Sequence, residues 1–259
     1  MKPIFIPSKG RPNDCFVSRL LSRLETDHTI VVEPQDVDQY VQVHKDVPYV
    51  TILSLDMNDQ GLSYARNFIK TYCSSKGIDF HWQIDDDVTR FSVKDFHGTG
   101  KNIGIKTKDA LEDELRKVEE YVQDHLNVPL AGLRDMIFNW TQKTPMNINK
   151  QVASVMLIKS DSSYSFSSGM IEDTDYALQI LFNGECTVIF NWFNYTKKPN
   201  KSTGGLEGGQ NSDRYDELIK NLVSKWKDVL KLRRDKKTGR LRVAPSQVWR
   251  RFMQTPLKK

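Results

Sequence analysis

Two acidic motifs hold the side chains in this sequence most suited to chemistry. Asp85, Asp86 and Asp87 end the apolar run FHWQI, and Glu172, Asp173 and Asp175 open the segment EDTDYALQIL. Adjacent carboxylates repel one another, and burying them unpaired is costly, so a chain that keeps three in a row needs a cation beside them. A hard divalent ion with oxygen ligands meets that need, above all if it also carries a substrate diphosphate. Side chains two apart on an extended strand share a side, so Asp85 and Asp87 point together. One would meet a nucleotide ribose or base and the other the metal. The plainer alternatives are a solvated acidic turn for the first motif, and for the second a helix whose first-turn acids suit its dipole.

Alternating strands and helices must position these groups. PIFIP reads as a strand ending in the turn SKGRP, after which Asn13 or Asp14 caps a helix bearing Phe16, Val17, Leu20, Leu21 and Leu24. HTIVVE and PYVTILSL are two more strands, GLSYARNFIKTYC is a helix with Leu62, Ala65, Ile69 and Tyr72 along one side, FHWQID is a fourth strand, and VASVMLIKS is a buried one. This order predicts an α/β, Rossmann-like fold, a largely parallel sheet with helices on both faces, whose ligands bind beyond the carboxyl ends of the strands. Those ends deliver Pro7, Ser8, Lys9, Gly10 and Arg11, then Glu33, then the three aspartates.

Composition sets the remaining bounds. The chain has 259 residues, 38% hydrophobic and 27% charged, enough for one sizeable core. The first residues, MKPIFIPSKG, lack the apolar stretch of a signal peptide, and no run approaches the roughly 18–20 residues of a membrane span, so no membrane association is expected. Cys15, Cys73 and Cys186 form no CxxC pair and read as reduced core thiols of a cytoplasmic protein. The net charge of +5 conceals an asymmetry. Residues 225–259 hold 13 basic and two acidic side chains, net +11, while the remainder holds 25 basic and 31 acidic, net −6. A basic tail on an acidic body suggests a polyanionic partner, DNA or RNA.

Five stretches, IFIPSKGRP, VVEP, GLSYARNF, QIDDDV and GMIEDTDYALQI, together resemble the GT-A-fold nucleotide-sugar glycosyltransferases across roughly residues 1–190. More narrowly, the chain is similar to phage glycosyltransferases that decorate hypermodified cytosine in DNA. These include the TET-associated glycosyltransferases and the enzyme adding a second glucose to glucosylated hydroxymethylcytosine. The resemblance implies a GT-A-like catalytic domain over residues 1–200, with a donor half to about residue 95 and an acceptor half beyond it. It implies donor contacts from Pro7, Ser8, Lys9, Arg11, Glu33, Arg66, Asn67, Asp85 and Asp86. It further implies metal ligation by Asp85 and Asp87, and an acceptor-side acid at Asp173, with Glu172 beside it, serving as general base in an inverting enzyme. The implied donor is a nucleotide sugar, UDP-glucose first among them, with Mg2+ or Mn2+. In one respect the chain departs from that pattern. Many such enzymes place a C-terminal histidine on the metal, but the last histidine here is His125, which leaves Asn191, Asn194 or water as the further ligand.

Beyond the catalytic domain, STGGLEGGQNSDRY, with four glycines, reads as a lid or linker over residues 201–213. RYDELIKNLVSKWKDVLKL reads as an amphipathic helix with Leu218, Leu222, Trp226 and Val229 buried, and RRDKKTGRLRV as a basic hairpin. This extension, residues 214–259, is expected to pack on the catalytic domain and to offer Arg233, Arg234, Lys236, Lys237, Arg240, Arg242, Arg250 and Arg251 to DNA phosphates. Trp249 and Phe252 are there either to stack bases or to fill the core. The expected activity is transfer of a sugar to a hydroxyl of a modified cytosine in double-stranded DNA, with no obligate protein partner. The alternatives are a glycan- or lipid-directed glycosyltransferase, a sugar-phosphate nucleotidyltransferase, and a non-catalytic DNA-binding module.

Overall fold

The apolar runs of the sequence assemble into one large sheet. The computed structural model describes residues 1–198, 213–243, 249–252 and 254–259. Its strands are β1 (Ile4–Pro7), β2 (His28–Val32), β3 (Val50–Ser54), β4 (Phe80–Ile84), β5 (Val88–Lys94), β6 (Asn102–Gly104), β7 (Leu130–Asp135), β8 (Met146–Ile148), β9 (Val155–Lys159) and β10 (Thr187–Lys197). They lie in the order β3-β2-β1-β4-β9-β7-β10-β5-β6, with β8 also paired to β10. The helices are α1 (Phe16–Arg23), α2 (Val37–His44), α3 (Leu62–Ser75), α4 (Lys108–Gln123), α5 (Glu172–Phe182) and α6 (Asp213–Lys225).

The predicted parallel arrangement is seen in β3-β2-β1-β4, and β7 and β10 form a second parallel pair. The other pairings of this sheet are antiparallel. Since β9 runs against both β4 and β7, those two strands point the same way. The carboxyl ends of β1, β2, β3, β4, β7 and β10 therefore reach one edge of the sheet. Period-two alternation divides the core between the two faces. Ile4 and Ile6 join the cluster with Trp82, Ile84 and the α4 residues Leu111, Leu115 and Val118, whereas Phe5 faces Ala65, Ile69 and Cys73 of α3. On β9, Val155 and Leu157 belong to the first cluster, while Met156 and Ile158 pack with α5. Gly132 on β7 permits this closeness, because a Cβ there would sit 2.3 Å from the Val155 carbonyl.

Several expectations change. Neither Asn13 nor Asp14 caps α1: Pro12–Asp14 form a 3-10 turn, Cys15 is the N-cap, and the amides of Phe16 and Val17 donate to the Asp86 carbonyl at 2.8 and 3.3 Å. Leu62 is exposed, and the buried side of α3 is Ala65, Ile69 and Cys73. On α6 the buried residues are Ile219 and Leu222, with Leu218, and Trp226 and Val229 beyond its end, only partly covered.

The carboxyl-terminal segments contact this body at several points. Trp226 Nε1 and Lys225 Nζ reach the buried Asp175 at 2.8 and 2.7 Å. Trp249 and Phe252 are buried in the α5 cluster, so packing, and not base stacking, is what occupies them. Asn149 Nδ2 donates to the Phe252 carbonyl at 2.6 Å, and Asn127 Nδ2 to that of Pro256 at 3.0 Å. The hairpin β11 (Leu232–Arg234) and β12 (Leu241–Val243) pairs with itself and adjoins α6 through Arg240, which meets Asp213 and Asp216. Almost all of the predicted glycine-rich lid, residues 201–212, lies outside the described residues.

Candidate active site

β4 stops at Ile84, and a tight turn carries the three aspartates into β5. Successive side chains diverge there, and Asp86 turns inward. Its carboxylate accepts from Ser8 Oγ at 2.6 Å and Arg11 Nη2 at 2.9 Å, and Tyr40 Oη lies 2.7 Å from the same Ser8 oxygen. Burial pushes the Asp86 carboxyl up to about 6, although Arg11 and Ser8 pull the other way. Asp86, Ser8 and Arg11 thus lock the loop that follows Pro7 onto the β4 turn. Lys9 Nζ bridges Glu33 at 3.0 Å and Asp59 at 2.5 Å, and the hydrogen bond to Asp59 is the main reason its pKa is raised.

Asp85 and Asp87 point the other way, and both meet cationic side chains. Arg66, only 2% exposed, donates from Nη2 to Asp85 Oδ1 at 2.7 Å. Lys197, at the end of β10, places Nζ 3.6 Å from Asp85 Oδ2 and 3.4 Å from Asp87 Oδ2, and donates to Ser154 Oγ at 3.0 Å. Ser154 itself has a left-handed backbone, φ 63°, and its carbonyl accepts the Asp85 amide at 2.7 Å. A non-glycine residue held there is strained, which is characteristic of functional sites. Burial would raise the Asp85 pKa, yet Arg66 and Lys197 together hold it below the ordinary range. Asp87 is raised, by burial first and then by Asp85.

The second motif reaches this edge by a detour. After β9 the chain returns along α3, where Lys70 Nζ holds the carbonyls of Ser162 and Tyr164, Asn67 pairs with both backbone groups of Phe166, and Ser63 holds Ser167. Asn67 is therefore engaged in placing this segment, and its amide is not free for a donor. Glu172 Oε1 arrives 3.7 Å from Arg66 Nε, so one buried guanidinium bridges the two acidic motifs. Burial, with Asp173 next, drives the Glu172 carboxyl up to about 7. Asp173 is also raised, chiefly by burial. Its oxygens already accept from Gln151 Nε2 at 3.0 Å and from the Thr174 amide at 2.6 Å.

Asp85 and Asp87 as they stand do not fit a divalent ion. The place between them is filled by the Lys197 ammonium, and Arg66 takes the other oxygen of Asp85. Among the described residues no group of three or more His, Cys, Asp or Glu is arranged to hold a metal. Of the two asparagines proposed as a further ligand, Asn191 has its oxygen taken, whereas the Asn194 oxygen has no hydrogen-bond partner among the described residues. Asn191 Oδ1 accepts from Arg134 while its amide donates to Thr144 and Asn147, and Asn194 Nδ2 donates to Asn102. The sequence reading missed Lys197 because nothing in the run NYTKK marks a partner more than a hundred residues away.

Outside this cluster the same edge carries an apolar rim. Asp135 ends β7, and in the loop that follows, Ile137, Phe138 and Trp140 are exposed, Trp140 to 77%. Lys94 Nζ braces that loop through the carbonyls of Asn139 and Gln142. Residues 130–150, which surround it in the chain, hold three basic side chains and one acidic one. Of the tail cations, Arg233, Lys236, Lys237 and Arg250 are exposed. Arg234 is also exposed but bonds the Gly239 carbonyl, Arg240 is paired with acids, and Arg251 lies 5.3 Å from the Phe182 ring. Arg242 is half-buried.

The family model described as TET-Associated Glycosyltransferase matches residues 2–205, and the chain belongs to that family. No curated protein matches it. Among solved structures, S. aureus TarS 1–349 is 11% identical over 87% of this chain and 65% of that one, with a TM-score of 0.48. GalNAc-T7, solved with UDP, GalNAc and Mn2+, is 8% identical over 86% of this chain and 47% of that one, TM-score 0.48. A UDP-glucose pyrophosphorylase is 8% identical over 76% and 92%, TM-score 0.42. This chain thus spans less than two thirds of TarS 1–349 and less than half of GalNAc-T7. Likenesses this distant assign no substrate.

Proposed function

We propose that this member of the TET-associated glycosyltransferase family moves a hexosyl group, in the first instance glucose from UDP-glucose, onto a hydroxyl of a modified cytosine in double-stranded DNA. The acceptor hydroxyl is that of hydroxymethylcytosine or of a sugar already on it. The observation that carries the reading is the bridge at the sheet edge, where buried Arg66 joins Asp85 on the strand-end side to Glu172 on the other. Around it, Pro7 to Arg11, Glu33 and the aspartates line the carboxyl ends of β1, β2 and β4, where such sheets bind nucleotides. The expected divalent ion has no place in this reading, because Lys197 stands between its two proposed ligands.

The step is a displacement. The acceptor oxygen bonds to the anomeric carbon, the bond from that carbon to the diphosphate breaks, and the nucleoside diphosphate leaves with the electron pair. The acceptor proton passes to Glu172. Its pKa of about 7 suits a base working near neutral pH, and no side-chain hydrogen bond consumes its oxygens among those described. Asp173, expected to be that base, is committed to Gln151 and Thr174 and holds the start of α5 in position. The exposed Phe138 and Trp140, in a basic stretch of chain, suit stacking of an extruded base, and the exposed tail cations suit phosphates. Three buried free thiols suit a reducing compartment such as the cytoplasm.

The test is mass spectrometry of nucleosides after incubating the protein and a panel of nucleotide sugars with modified and unmodified DNA. A hexose-sized gain on modified cytosine is expected. Modification of glycans alone overturns the DNA acceptor, and release of pyrophosphate from a nucleoside triphosphate plus a sugar phosphate overturns the transferase. Retention of anomeric configuration in the product overturns the base assigned to Glu172.

A further inference from the structure

The geometry points to Lys197 as the cation of the donor site: its ammonium, held between Asp85 and Asp87, receives the donor diphosphate in the place a divalent ion would take. This rests on the reading above that the edge binds a nucleotide sugar. A diphosphate is anionic, and two bare carboxylates would repel it, so the site needs fixed positive charge. Lys197 supplies it with its geometry already set, 3.4 and 3.6 Å from the two acids and 3.0 Å from Ser154 Oγ.

The backbone holds it there. Lys197 pairs with Val88 across an irregularity in the β10–β5 ladder, and the next amide, that of Lys198, donates to the Asp87 carbonyl at 2.9 Å. Such irregularities re-aim a side chain at a strand end. The Lys197 side chain remains 27% exposed, within reach of a ligand. A second observation points to an anion. Arg66 is almost wholly buried; its Nε faces only Glu172 at 3.7 Å, and its Nη1 has no hydrogen-bond partner among the described residues. A buried guanidinium N–H without an acceptor is costly unless something anionic completes the site. Asp85 is matched by Arg66 and Lys197, and Asp87 meets Lys197 through Oδ2, its Oδ1 having no hydrogen-bond partner among the described residues; a divalent ion between the acids would face an ammonium at contact distance. When the bond to the anomeric carbon breaks, the charge gathering on the departing diphosphate is met by Lys197, with no proton transferred.

Calorimetric titration of UDP, and of other nucleoside diphosphates in turn, tests this on the full chain in chelator and in Mn2+. The wild type should bind in chelator nearly as tightly as in Mn2+. Lys197→Gln should weaken binding in chelator roughly tenfold or more, as expected when a charged hydrogen bond is removed. Lys197→Arg should recover most of it, and Asp87→Asn, which removes a competing anion, should bind at least as tightly as wild type. Melting curves establish that each variant is folded, and the wild-type comparison needs no variant. Wild-type binding that vanishes in chelator and returns with Mn2+, with Lys197→Gln behaving alike, overturns the role of Lys197 and leaves the donor reading intact. No binding of any nucleoside diphosphate under either condition removes the donor reading itself, and the role of Lys197 with it.

Discussion

The two acidic motifs share one sheet edge and one arginine, yet their electrostatic fates are opposite. Asp85 has a cation on each oxygen, Arg66 and Lys197, and is held ionised below its ordinary range. Glu172 is 3.7 Å from the same guanidinium but has Asp173 beside it, and burial lifts it to about 7. Two carboxylates whose surroundings push their pKa values apart can divide the labour, and in the function proposed here one serves as permanent charge and the other as proton acceptor. The difference is one of partners, since both motifs are short runs of acids at the end of an element.

The strongest way to break this division is to neutralise Glu172. Glu172→Gln is expected to cut turnover by about 10²–10⁴-fold, as for a lost general base, with nucleoside diphosphate affinity nearly unchanged. Asp173→Asn should cost less in turnover and more in stability, because Gln151 and Thr174 would be left with a poorer acceptor. Single-turnover rates beside calorimetric affinities decide this, and a larger drop in rate for Asp173→Asn would return the base to Asp173.

Stability against pH gives the next largest signal. The folded-state pKa of Glu172 lies above its ordinary 4.5, so between about 4.5 and 7 the folded chain keeps a proton that the unfolded chain has lost. Its contribution to stability therefore falls as pH rises through that window. Glu172→Gln should be more stable than wild type above neutral pH by roughly 1–3 kcal/mol, and should lose that advantage near pH 4. Asp85 behaves in the opposite sense. Its lowered pKa contributes stability above the ordinary 3.8, lost as pH falls below it, so Asp85→Asn should destabilise at pH 7. Denaturant midpoints at pH 4, 6 and 8 measure both, and parallel profiles for the two variants would dissolve the contrast.

Smaller effects lie outward from the two motifs, at the rim and the tail. Trp140→Ala should weaken binding of modified DNA by about 1–3 kcal/mol, the range for one stacked base, while leaving nucleoside diphosphate binding alone. Anisotropy titrations with DNA follow this, and unchanged affinity would remove the rim from the acceptor site. The smallest effect at ordinary salt is expected from neutralising Arg233, Arg234, Lys236 and Lys237 together. Binding should weaken on all DNA sequences, and the salt dependence should flatten by about 0.9 in log–log slope for each phosphate that is no longer neutralised. Modification as efficient as wild type at every salt concentration would make the tail a solvated face.

Local sequence was enough for the first four strands and for α1 and α3, because period-two and helical spacing of apolar residues are short-range signals, but it did not mark α2 between β2 and β3. It also brought Ser8, Lys9, Arg11, Glu33 and the aspartates to one edge, since parallel strands must end together. What it left open depended on distance along the chain. The antiparallel insertion of β9, which turns β7 and β10 to the same edge, leaves no mark in local periodicity. That a lysine stands between the two aspartates was decided by Lys197, 110 residues from Asp87, arriving at the end of β10. That Asp173, and not Glu172, is tied by hydrogen bonds at the start of α5 was decided by Gln151 and Thr174. Trp249 and Phe252 could be assigned to the core only once α5 lay beneath them. Residue type and spacing report what a segment can become, but charge compensation depends on the few ångströms between side chains that only the folded chain brings together.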